Sequence, residues 1–248
     1  MNEIKIVFHP RFYEVYTNDP AAESGRMESI VAELTDFEFV EAEMAKEEDI
    51  LLVHTQAHYD YVKSMPKIFE LAMLAAGGAI KAAEISFEEL TFAAIRPPGH
   101  HASPDSCWGF CYFNNVAIAV KRLIEDELIG KAVIVDFDLH FGDGTANTFK
   151  NDSKVVYHHM QSVERLTTFL VERDYDIIAV SAGFDRHKKD WGGMLETEDY
   201  KRIGEIIAKH ADKKCDGKCF AVLEGGYNHS VLGKNVRAFV DGLASIYR

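Results

Sequence analysis

KAVIVDFDLHFGDGTAN, residues 131–147, is the stretch whose reading decides the fold. Val133, Ile134, Val135 and Phe137 are β-branched or aromatic and suit a buried strand. Successive strand side chains point to opposite faces. Alternation therefore places Asp136, Asp138 and His140 on one face, with Val135, Phe137 and Leu139 on the other. Unpaired carboxylates buried at the end of an apolar strand cost several kcal/mol each, so they call for a cation or a network of donors. The bland alternative is polar residues that face solvent or cap the next helix. Metal ligation explains all three residues at once and is preferred. The glycine-rich FGDGT that follows turns into a helix and adds Asp143.

Outward from this stretch the chain alternates strands and helices. Further strands are expected over residues 3–8, 37–40, 91–95, 155–158, 176–181 and 219–223. Helices are expected over 22–34, 47–53, 57–63, 66–84, 115–127, 163–173, 197–213 and 230–247, with HPRFYEVY (9–16) as a loop. Gly77 and Gly78 lie inside an apolar helix, where they lower propensity and point to close helix packing. Such alternation implies right-handed crossovers and a mainly parallel sheet covered by helices on both faces. No linker, repeat or low-complexity tract interrupts it, so one domain over 1–248 is expected.

Composition narrows the function. A hydrophobic fraction of 47% supports a sizeable core, and a net charge of −13 argues against nucleic acid or an anionic membrane as partner. The charge is compatible with a cationic substrate. A charged-then-apolar leader is not expected from the opening residues, and no apolar run approaches the roughly 18 residues of a membrane span. The four cysteines form two Cys-x3-Cys spacings, Cys107/Cys111 and Cys215/Cys219, which match neither a zinc ribbon nor a thioredoxin pair. They read as ordinary thiols in a reducing cytoplasm.

Four strand ends carry ionisable groups. Strand 91–95 runs into Arg96-Pro97-Pro98-Gly99-His100-His101, a stiff turn that presents two imidazoles. The central strand supplies Asp136, Asp138, His140 and Asp143. Strand 176–181 leads to Asp185, and strand 219–223 leads through Glu224-Gly225-Gly226 to Tyr227. In open parallel sheets, ligands bind outside the carboxyl ends of strands. Two carboxylates with one histidine form a catalytic rather than a structural zinc set, because a position stays open for water.

RPPGHHA (96–102), GFCYFNN (109–115), VDFDLHFGDGT (135–145), SAGFD (181–185) and EGGY (224–227) together resemble the zinc-dependent histone deacetylase and acetylpolyamine amidohydrolase superfamily. The blocks stand in that family's order, and the likeness covers most of the chain from about His54 onward. It implies a single-domain, three-layer arginase-like α/β fold with a mainly parallel sheet of about eight strands. It implies zinc, or iron(II), on Asp138, His140 and Asp185. His101 would be the general base and later acid, His100 its electrostatic partner, and Asp136 and Asp143 acceptors behind the two imidazoles. Tyr227 would donate to the oxyanion, with Gly109 and Phe110 at the substrate. The implied reaction is removal of an acetyl or similar acyl group from an amine.

The sequence also departs from that family. Phe141 replaces a second histidine. The long loop that usually follows Gln161 is missing, and the one after Tyr61 is short, so Phe110 is the only identifiable channel wall. His158 and His159 stand where relatives often have a small residue near a monovalent-cation site, which leaves potassium open. These departures favour a small acylated amine, such as an acetylpolyamine, over protein acetyllysine. A homo-oligomer in which a neighbour completes the channel stays open. A binuclear-manganese ureohydrolase is poorly served by Asp138-x-His140-x-x-Asp143 and the lone Asp185. A non-catalytic metal-bearing module would need neither His100 and His101 nor Tyr227.

Overall fold

The computed structural model describes residues 4–247. Its strands are β1 (Lys5–Phe8), β2 (Glu38–Glu41), β3 (Thr91–Ala93), β4 (Ala132–Asp136), β5 (Val155–His159), β6 (Ile177–Ala182) and β7 (Cys219–Leu223). Glu3, expected to start the first strand, lies outside the described residues. All seven pair in parallel in one sheet of order β2-β1-β3-β7-β6-β4-β5. The described sheet thus has seven strands where the resemblance implies about eight. The helices are α1 (Arg26–Val31), α2 (Glu47–Ile50), α3 (Gln56–Lys63), α4 (Pro66–Ile85), α5 (Asn115–Glu125), α6 (Asp143–Phe149), α7 (Val163–Val171), α8 (Thr197–Cys215) and α9 (His229–Leu243). The expected loop after β1 contains a short 3-10 turn, Pro10–Tyr13, which the Pro10 ring and the His9 cap favour.

β4 (AVIVD), β6 (IIAVSA) and β7 (CFAVL) are buried along their whole length, as strands covered on both faces must be. α4 packs on α5, and α8 packs on α9 and on β6, so helices flank the sheet. No helix among the described residues is long and apolar enough to cross a membrane.

Gly77 has a different neighbour from the one expected. A Cβ there would collide with the carbonyl of Glu43, and Ala45 N donates to Met73 O at 3.0 Å. The glycine admits the main chain leaving β2 rather than another helix. For the site, the decisive point is strand order. β3, β7, β6 and β4 are consecutive neighbours, so the four strand ends that carry ionisable groups open on one edge at the centre of the sheet.

Candidate active site

β4 ends at Asp136, and the next residues are not strand. Asp136 Oδ1 accepts from Asp138 N at 3.0 Å, and Asp138 Oδ1 accepts from His140 N at 2.9 Å. Short carboxylates that bind main chain two residues on compete with the strand ladder. The alternation expected through His140 therefore stops, and the three residues do not share one strand face. Asp136 turns instead to His100 Nδ1 at 3.0 Å and the Tyr157 hydroxyl at 2.9 Å.

Asp138, His140 and Asp185 converge, each offering a ligand atom within 4.8 Å of the others. Asp138 Oδ2 accepts from Gly225 N at 2.8 Å, and Asp185 Oδ1 accepts from Leu139 N at 2.9 Å. His140 Nδ1 lies 3.3 Å from Asp138 Oδ1 and 3.1 Å from Asp185 Oδ2. Asp185 Oδ2 is buried, and apart from that contact with the His140 ring it has no hydrogen-bond donor. Burial, together with the charge of Asp138, pushes the Asp185 carboxyl up to about 6. Burial also opposes ionisation of Asp138, but His100, His140 and the Gly225 N–H outweigh it and hold that carboxyl below its ordinary range. Hydrogen bonds to the two carboxylates push His140 up to about 10. Two crowded, buried carboxylates and an imidazole aimed between them fit a divalent cation. A second group, His100, Cys111 and Glu224, also converges. It is a poorer ligand set, because burial holds the Cys111 thiol protonated and Asp136 engages His100.

The two adjacent histidines have different electrostatics. His100 Nδ1–H donates to Asp136, and its ring centre lies 4.1 Å from that of His101. Burial disfavours its charge, yet Asp138, Asp136 and Glu224 outweigh this and raise His100 well above the ordinary imidazole value. His101 Nδ1–H donates to Asp143 Oδ1 at 2.7 Å. Burial and the neighbouring His100 charge lower His101, with Asp143 opposing in part. One imidazole is thus kept cationic, and the other is kept neutral with Nε2 as its basic atom. Gly109 presses on the His101 ring, and its φ of +60° is a left-handed conformation that favours glycine.

Tyr227 sits beyond the glycine pair after β7. Its ring stacks on Trp191 at 4.0 Å and lies 6.0 Å from Phe110. Asp190 Oδ2 accepts from both Tyr227 N and Asn228 N at 2.8 Å. Arg26, wholly buried, donates from Nε to Gly226 O at 2.8 Å and from Nη2 to Glu224 O at 2.6 Å, which braces the same turn.

The fold brings Asp136, Asp138, His140, Asp143, His100, His101, Asp185, Tyr227, Gly109 and Phe110 together, along with several partners that the sequence does not announce. Trp108 packs against His101, tilted by 36° with ring centres 4.0 Å apart, and donates from Nε1 to Asp143 Oδ2 at 2.9 Å. Trp191, half exposed, meets His140 edge-on at 6.0 Å and supplies a second aromatic wall beside Phe110. Trp108 adjoins the GFC block, a positional signal; Arg26, two hundred residues from Gly226, has none.

A profile described as the histone deacetylase domain matches residues 21–169 and 160–243. The two stretches meet where β5 passes to α7 through only Met160, Gln161 and Ser162. A "Probable deacetylase" of Methanothermobacter thermautotrophicus is 31% identical over 303 aligned residues, covering 96% of this chain and 90% of that protein. One of Archaeoglobus fulgidus is 32% identical, covering 89% of this chain and 77% of its own. "Histone deacetylase 18" of Arabidopsis thaliana is 30% identical over 80% of this chain and 40% of its own. In fold, the chain is similar to the crystal structure of the HDA15 HD domain, with a TM-score of 0.85 at 22% identity, covering 98% and 89% of the two chains.

Proposed function

Because this chain belongs to the histone deacetylase and acetylpolyamine amidohydrolase superfamily, and is a deacetylase by that kinship, we propose that it removes an acyl group from a small amine using zinc. The observation that carries the reading is the Asp138–His140–Asp185 cluster beside two unlike His–Asp pairs. Zinc on those three residues, or iron(II) in its place, supplies polarisation of an amide carbonyl and acidification of a water. His101 Nε2, neutral, takes the proton of the attacking water and later returns it to the leaving amine. Asp143 fixes the tautomer that this requires, and the cationic His100 stabilises negative charge as it develops. The Tyr227 hydroxyl donates to the oxyanion. Tyr227→Phe should keep its metal and lose about 100-fold in turnover. Wild-type turnover in that variant would make the tyrosine a packing residue.

The small-molecule reading rests on the mouth of the site. Three residues join β5 to α7, and only Ser64 and Met65 join α3 to α4, so little chain is left to grip an extended peptide. Trp108 and Trp191 are both about half exposed, at 56% and 52%. Indole faces attract a cationic amine, and the net charge of −13 steers in the same sense. Specificity constants for acetylated polyamines and for acetyllysine peptides, taken on one enzyme preparation, test this. The polyamines should be preferred; a clear preference for peptides would make the chain a protein deacetylase.

A further inference from the structure

Arg186 follows Asp185 directly, and its side chain runs back beneath the metal-binding cluster. The residue is 6% exposed. Its Nε donates to the main-chain carbonyl of Asp138 at 3.0 Å, and its Nη2 lies 2.9 Å from His159 Nε2. A guanidinium has only donors, so His159 Nε2 accepts and its proton sits on Nδ1. His159 is the β5 residue in register with Asp136 on β4. Among the described residues Arg186 makes no ion pair. A buried guanidinium ordinarily takes a carboxylate. This one takes a carbonyl of a metal-binding residue, and the acidic cluster above it balances its charge.

Relatives often have a monovalent-cation site in this neighbourhood, and the residues here do not fit one. Main-chain carbonyls hold such ions, but the Asp138 carbonyl already accepts from Arg186. The His159 ring fills space that a small residue would leave. A second positive charge a few ångströms from a buried guanidinium would also be strongly repelled.

We propose that Arg186, oriented by His159, takes the place of the monovalent cation, so that the site is indifferent to potassium. It is a positioning residue: it holds the Asp138 main chain, and with it the carboxylate that faces the metal. The proposal stands whichever acylated amine is the substrate, and its main readouts need no turnover.

The test compares thermal unfolding of the wild-type chain in potassium, sodium and N-methylglucamine chlorides at equal ionic strength, with thallium(I) binding measured by equilibrium dialysis. The expected result is a midpoint constant to about 1 °C across the salts, since an ion that binds only the folded state would raise it. No stoichiometric thallium(I) should be retained. Arg186→Lys should keep this indifference. Arg186→Gln removes the charge at similar length, and it should lower the midpoint and make it rise with potassium. One thallium(I) bound per wild-type chain, or a saturable rise of the wild-type midpoint with potassium, would overturn the proposal. So would an Arg186→Gln chain that behaves like wild type in every salt. If Arg186→Gln does not fold, the wild-type measurements decide alone.

Discussion

Asp185→Ala should leave the chain folded, strip its metal and lower turnover on the order of 1000-fold, the scale of several kcal/mol of lost charge stabilisation. The side chain takes with it one hydrogen bond, from Leu139 N to Oδ1, and its 3.1 Å contact with the His140 ring. Such a bond contributes about 1 kcal/mol. Removing a buried carboxylate that is repelled by Asp138 offsets that loss. Elemental analysis after dialysis, together with the unfolding midpoint, separates the two effects. Full metal occupancy in the variant would remove Asp185 from the ligand set.

His101→Gln should lower turnover by roughly 1000-fold, within the span for a lost general acid–base. The glutamine amide can still donate towards Asp143, so shape and one hydrogen bond survive while the basic atom does not. In the role proposed for it His101 acts as the neutral form, and burial with the His100 charge shifts its pKa below the ordinary 6.5. Activity is therefore present above that lowered value and lost as the pH falls through it. The acid limb of kcat/KM for the wild-type enzyme should accordingly lie below 6.5. The limb should vanish from the residual rate of the variant. A limb centred above 6.5 would mean that His101 works as the cation and His100 as the base.

Both predictions rest on residues that the sequence displays because their signal is local. Pro97 and Pro98 fix the turn before His100, and Gly225 and Gly226 free the turn before Tyr227. The buried strands β4, β6 and β7 likewise read as short apolar runs that end in polar residues. What stays hidden is set by distance or by competition. Arg26 is a charged residue in a short helix until the fold brings it to Glu224 and Gly226. Arg186 and His159 meet only because β5 lies beside β4. The side chains of Asp136 and Asp138 bind their own backbone, and no pattern of period two announces where that will end a strand.

The bond pair that Asp190 makes with Tyr227 N and Asn228 N has a consequence for how this enzyme chooses. One carboxylate ties the backbone of Tyr227 to the loop that carries Asp185 and Trp191, and Asn228 in turn caps α9. Any swing of the Tyr227 main chain would have to break both of these bonds. Discrimination by induced fit, in which the right molecule drives closure and the wrong one does not, would carry the cost of breaking them. A site held in this way favours selection by fit to a preformed shape, with Trp191 stacked on the tyrosine as part of that shape.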